Sequence, residues 1–164
     1  MTPTITVHNE GVYPLDENRL QAAAAAVLSR QGAPDDAALS VVIADDDFVA
    51  GLNRQFRGLD SPTDVLSFLA DAPPVQEEDE PPYLGDLIIA YPYAAAQAAR
   101  EAHALDDSLA LLVVHGTLHL LGFDHDTPEN RAAMWAAQAE ALQALGISPD
   151  IVPALEGNSH DHPE

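Results

Sequence analysis

The chain of 164 residues has no cysteine, which excludes disulfides and thiolate metal ligands and leaves the redox compartment open. It has no lysine either: six arginines stand against 27 acidic residues, for a formal net charge of -21. Nucleic-acid binding draws much of its affinity from neutralising phosphates, so charge alone argues against an RNA or DNA partner. No apolar run approaches the roughly 18 residues needed to span a membrane. The N-terminus, MTPTITVHNEG, lacks a basic stretch followed by an apolar one, so no secretion signal and a cytoplasmic location are expected. Internal repeats and glycine-rich phosphate loops are missing as well.

What is present is ordinary for a soluble globular protein: 47% apolar and 20% charged residues. The length predicts one domain over residues 1–150, with an acidic, disordered tail over 151–164. The acidity is unevenly spread. Nine acids fall at 71–80 or from 150 onward, in segments read as loop or tail, while the stretch 51–70 balances Arg54 and Arg57 against Asp60 and Asp64. A dication in the interior would make its cleft locally positive, which softens the objection to a nucleic-acid substrate.

The distinctive stretch is HGTLHLLGFDH, from His115 to His125. Residues four apart on a helix lie on one face, so His115 and His119 present two imidazoles to one point. Gly122 can take the left-handed conformation that ends a helix, and the turn can bring His125 back to the same point. Three neutral imidazoles suit one Zn²⁺ per chain at about 2.0–2.1 Å per bond, with a fourth position open. Such sites also accept nickel, copper or cobalt. With seven histidines in the chain, about 0.01 matches to this three-histidine spacing are expected by chance.

Along the chain, Thr4–His8 alternates with β-branched residues and reads as a strand. Leu15–Gln31 reads as a helix ending at Gly32, and Ala38–Ala44 as a second strand. Asp45, Asp46 and Asp47 then cap a helix running to about Phe56, a reading preferred to a metal role. A Gly/Pro turn carrying Arg57 leads into a third strand, Val65–Ala70. The acidic, proline-rich segment 71–82 reads as a mobile loop. Leu84–Ala90 is the fourth strand, and Tyr91-Pro92 opens a helix through about Ala104. Asp106, Asp107 and Ser108 cap the apolar helix that carries the histidines. Thr127 caps a last helix, with Pro128 at its first position and its end near Gly146. The pattern predicts an α+β (α/β-like) fold: a small mixed sheet of about four strands covered by helices, with the zinc site at the end of a central helix. His160 and His162 in the tail lack the preorganisation of a site and read as solvated.

Zinc proteases of the HExxH type place a glutamate after the first histidine as general base. Here that position is Gly116, which counts against a metallopeptidase. Water activation by the metal, or a carboxylate from elsewhere, remains. Asp124 and Asp126 flank His125; each can transfer a proton, orient an imidazole or cap the next helix. Arg57 can fork onto a phosphate oxygen pair or form a salt bridge to Asp60 or Asp64.

HGTLHLLGFDH, together with LNRQFRGLDSPTDVLSF and LGDLIIA, resembles the bacterial YbeY family of zinc-dependent endoribonucleases of ribosomal RNA maturation. The resemblance runs from about Ile5 to Gly146, in the family's motif order and spacing. It implies a metal held by His115, His119 and His125, with Arg57 as the functional arginine of the cleft. It also implies a single-stranded RNA substrate, notably the 3′ end of small-subunit (16S) ribosomal RNA. Ribosome quality control is implied too, with ribosomal proteins and an assembly GTPase as partners. Leu69 stands where the family usually has proline. Arg57, His115 and Asp124 are the residues expected to carry catalysis. The competing reading is a non-enzymatic ribosome assembly factor with structural zinc, its acidic surface contacting basic ribosomal proteins.

Overall fold

The computed structural model describes residues 3–9, 11–34, 36–57, 65–69, 83–124, 126–148 and 151, with only the backbone at Arg57 and Leu69. The turn at 58–64, the acidic segment at 71–82, His125 and the tail from 152 onward, including His160 and His162, lie outside the described residues.

Among the described residues the order is β1 (Thr4–His8), α1 (Glu17–Arg30), β2 (Ala38–Ala44), α2 (Asp46–Arg57), β3 (Val65–Leu69), β4 (Tyr83–Ala90), α3 (Tyr91–Glu101), α4 (Leu105–Leu120) and α5 (Pro128–Leu145). The strands form one sheet in the order β1-β2-β4-β3. β1 and β4 run parallel to β2, and β3 pairs antiparallel with β4 at the edge. The expected mixed four-stranded α+β layer is what the chain builds.

Strand alternation divides the apolar side chains between two faces. Leu39, Val41, Ile43, Val65, Leu87 and Ile89 join the main core with α1, α3, α4 and α5. Leu66, Ile88 and Ala90 turn to the other face, where Val49 of α2 covers them. α4 buries Leu109–Leu118 and Leu120 and packs against α1, α3, α5, β3 and β4. A helix apolar all round belongs in the interior, so the histidines enter the molecule on its most buried helix. No helix among the described residues is long and apolar enough to cross a membrane.

Local chemistry sets most boundaries. Asp16 caps α1 by accepting from Asn18 N (3.0 Å), and Gly32 beyond its end takes φ +70°. Asp45 accepts from Phe48 N (2.7 Å), as the capping reading of that triplet requires. Asp46 reaches across to Tyr93 N (2.9 Å) in the first turn of α3, whose own N-cap, Ala90, has no side chain to offer. α4 departs from expectation. Its N-cap is Ala104, without a side-chain cap, and Asp106 and Asp107 lie in its first turn. Asp107 instead pairs with Arg19 of α1 (2.5 Å), so the first-turn acid is used in an ion pair between helices and not as a cap. α3 stops at Glu101 because Ala102 turns left-handed (φ 59°). Leu69 closes β3 on the sheet edge, where a proline is also tolerated, so its difference from the family pattern leaves the pairing with Gly85 intact.

α5 begins as predicted. Thr127 accepts from Asn130 N (3.1 Å), Pro128 opens the helix and Gly146 ends it at φ 74°. Thr127→Ala is therefore expected to lower stability by about 1 kcal/mol in urea unfolding; an unchanged midpoint would show that the cap carries no weight.

Candidate metal centre

The last turns of α4 place both histidines. His115 is buried and His119 half-buried, with Nε2 atoms 3.1 Å apart and ring centroids 4.6 Å apart at 80°. Thr117 between them donates to Val113 O (2.7 Å) and is buried, so its hydroxyl is satisfied within the helix. Gly116 leaves α4 on the sheet side: a Cβ there would lie 2.8 Å from Leu87 Cδ2 and 3.3 Å from Ser67 Oγ. The glycine lets the helix lie against β3 and β4 at the turn that carries His115.

Each imidazole is held from behind by an oxygen. His115 Nδ1 lies 3.1 Å from Gln138 Oε1 on α5, and His119 Nδ1 lies 2.9 Å from Phe123 O. The second contact comes from the turn after α4: Gly122 at φ +99° folds the chain so that Phe123 N donates to Leu118 O (3.0 Å) and its carbonyl meets His119. The left-handed glycine thus ends the helix, as predicted, and also supplies a carbonyl to the site.

The oxygens behind the rings favour one tautomer. A carbonyl or amide oxygen only accepts, so it is satisfied when Nδ1 carries the proton, which leaves the Nε2 lone pair available to a metal. In that tautomer the two Nε2 lone pairs would face one another at 3.1 Å. That arrangement is repulsive unless a cation lies between them, and metal-bound histidines are held from behind in this way. In a tetrahedral zinc site with bonds of about 2.0–2.1 Å, two such nitrogens stand about 3.3 Å apart. The donor set and its spacing fit a zinc ion. Among the described residues no third histidine, aspartate or glutamate joins the pair; His125, the expected third ligand, lies outside them.

The remaining predicted residues divide. Asp124 is half-buried just beyond the turn. Asp126 accepts from Asn130 Nδ2 (2.8 Å), which ties it to the start of α5. Arg57 is the closing residue of α2, on the helix covering the opposite sheet face from α4.

Sequence reasoning missed two neighbours. Trp135 packs edge-on to His115 (centroids 5.8 Å, 85°), with the Arg131 guanidinium 5.6 Å over its ring. Gln138 is the other. Its one visible signal is a polar residue on the face of α5 that otherwise buries Met134, Ala137, Ala141 and Leu142.

A family model described as Endoribonuclease YbeY matches residues 6–146. The chain belongs to the YbeY family. Among YbeY relatives it is similar to Endoribonuclease YbeY of Chloroflexus aurantiacus, 42% identical over 90% of this chain and 98% of the relative. The protein of the same name from Pelotomaculum thermopropionicum is 39% identical over 89% of this chain and 99% of the relative. That from Moorella thermoacetica is 44% identical over 82% and 92%. A Thermotoga maritima protein solved in solution shares the fold, with a TM-score of 0.57 at 24% identity, covering 98% of this chain and 97% of that one.

Proposed function

We propose that this YbeY-family chain is a metal-dependent endoribonuclease of the cytoplasm that cuts single-stranded RNA. Its substrate is the 3′ end of small-subunit ribosomal RNA during maturation, and it acts in ribosome quality control with ribosomal proteins and an assembly GTPase. The activity rests on the relatives' name, Endoribonuclease YbeY, and the RNA and partners on the family resemblance. The observation that carries the reading is the pair of Nε2 atoms 3.1 Å apart, each imidazole with an oxygen behind its Nδ1.

His115 and His119, with His125 as third ligand, would hold one zinc ion. When bound, zinc supplies Lewis-acid polarisation of a phosphoryl oxygen and lowers the pKa of water. Arg57 is assigned to the substrate: its planar fork matches two phosphate oxygens and steadies the charge that grows on them as the P–O bond breaks. Asp124 is assigned to proton transfer, taking the proton that the attacking water releases. Gly116 removes the base that a peptidase of the HExxH type needs at that position.

Arg57→Ala tests the assignment. The variant is expected to fold and to keep one zinc per chain by elemental analysis. Its cleavage of a single-stranded fragment from the 3′ region of small-subunit ribosomal RNA should fall about 10²–10³-fold, the usual cost of one lost donor to developing charge. Full cleavage by the variant would remove Arg57 from the mechanism. A zinc-loaded wild-type protein that leaves the fragment intact would overturn the endoribonuclease reading itself.

A further inference from the structure

We infer that Gln138 of α5 is a positioning residue for the metal site: its amide oxygen holds His115 in the tautomer whose Nε2 lone pair faces His119. The inference rests on the metal reading above and extends it to a residue outside the histidine motif, 23 positions from His115.

Two imidazoles whose Nε2 atoms are 3.1 Å apart have an alternative to binding a cation. If one carried its proton on Nε2, it would donate to the other, and the pair would satisfy itself with the metal position closed. Which arrangement forms depends on what stands behind the rings. Behind His115 stands Gln138 Oε1 at 3.1 Å, an acceptor that is satisfied only when the proton is on Nδ1. Gln138 is fully buried (0% exposed) and His115 nearly so (6%), so water is not at hand to replace that acceptor. His119 has a backbone carbonyl in the same role, which no substitution can remove. Gln138 is therefore the half of the arrangement that depends on a side chain.

The other end of the same amide supports the assignment. Gln138 Nε2 is buried and finds no hydrogen-bond partner among the described residues. A buried amide with an unpaired NH₂ weakens a fold, and leucine at an otherwise apolar position would remove the defect. A glutamine serving packing alone would be better replaced by an apolar residue. One whose oxygen sets a tautomer would not. Gln138 lies mid-helix on α5, on the buried face with Met134, Ala137, Ala141 and Leu142.

The test compares Gln138→Leu and Gln138→Glu with wild type in three measurements on purified full-length protein. These are thermal unfolding of the metal-free form, Zn²⁺ affinity by competition with a chromophoric chelator, and the His115 tautomer in the metal-free form by long-range ¹H–¹⁵N NMR. Gln138→Leu is expected to unfold at the same temperature or higher, to bind Zn²⁺ about 10–100-fold more weakly, and to lose the Nδ1-protonated signature. Gln138→Glu keeps an acceptor behind the ring and is expected to bind Zn²⁺ at least as tightly as wild type, so it carries the test if the leucine variant does not fold. Wild-type Zn²⁺ affinity and an unchanged tautomer in Gln138→Leu would overturn the inference, as would weakened binding in Gln138→Glu. A wild-type chain that takes up no Zn²⁺ would instead sink the metal reading, and the tautomer would then decide the role of Gln138 by itself.

Discussion

Gly116→Glu, which would write the HExxH sequence of a zinc peptidase into this helix, is expected to yield an unfolded protein rather than a peptidase. The Cβ alone would stand 2.8 Å from Leu87 Cδ2, 3.2 Å from Leu87 Cδ1 and 3.3 Å from Ser67 Oγ. Leu87 is completely buried, so it has no solvent-facing space to move into. Gly116→Ala would gain about 1 kcal/mol of helix propensity and lose about 1–3 kcal/mol to overpacking, a small net destabilisation. Glutamate adds a methylene and a carboxylate to the same wedge, with the charge driven among β3 and β4. An unpaired buried charge costs several kcal/mol on top of the steric clash. The sum, about 5 kcal/mol or more, reaches the lower end of a domain's whole stability. Circular dichroism and size-exclusion chromatography check it: a folded, zinc-binding Gly116→Glu protein would mean that α4 can withdraw from the sheet. The glycine thus has two consequences. It denies the site a peptidase base, and it lets the histidine helix lie close against β3 and β4.

How far the sequence disclosed this arrangement depends on how local each cause is. The strand Ala38–Ala44 shows its two faces by alternation, and the caps Asp16, Asp45 and Thr127 lie within three residues of the amides they satisfy. The glycines after α1, α4 and α5 all turn left-handed where the pattern placed helix ends. Distant causes were hidden. Asp46 caps a helix 47 residues away, and Asp107 is engaged by an arginine 88 residues earlier, so neither use can be read from neighbours in the chain. Ala102 turns left-handed although nothing in its side chain asks for that conformation. The central position of β4, paired with β2 on one side and β3 on the other, is a product of non-local pairing. The site follows the same rule. The His115–His119 spacing is a local fact of helix geometry and was legible. The oxygen behind His119 comes from the Gly122 turn, four residues on in the chain, whereas the one behind His115 comes from α5, 23 residues away, and needed the fold.

His119→Ala and His115→Ala should therefore be alike in chemistry and unlike in stability. Either truncation removes one of the two facing Nε2 atoms, and each variant is expected to lose bound zinc by elemental analysis. RNA cleavage should fall at least about a thousandfold, on the order of 4 kcal/mol of transition-state stabilisation. Their metal-free forms should part in urea unfolding. His119 is half-buried at the end of α4, and its loss frees Phe123 O toward solvent, for about 1 kcal/mol. His115 is buried, packs edge-on to Trp135 and is the partner of Gln138 Oε1. Its truncation opens a cavity and leaves a second polar atom of a buried amide unpaired, for about 2–4 kcal/mol. Equal stability losses would show that the interior tolerates the site's dismantling and that Gln138 finds another partner. Undiminished cleavage in His119→Ala would show that the activity owes nothing to the facing imidazoles, because the remaining ring, however well its tautomer is held, offers a cation only one of the two nitrogens that make this end of α4 a site.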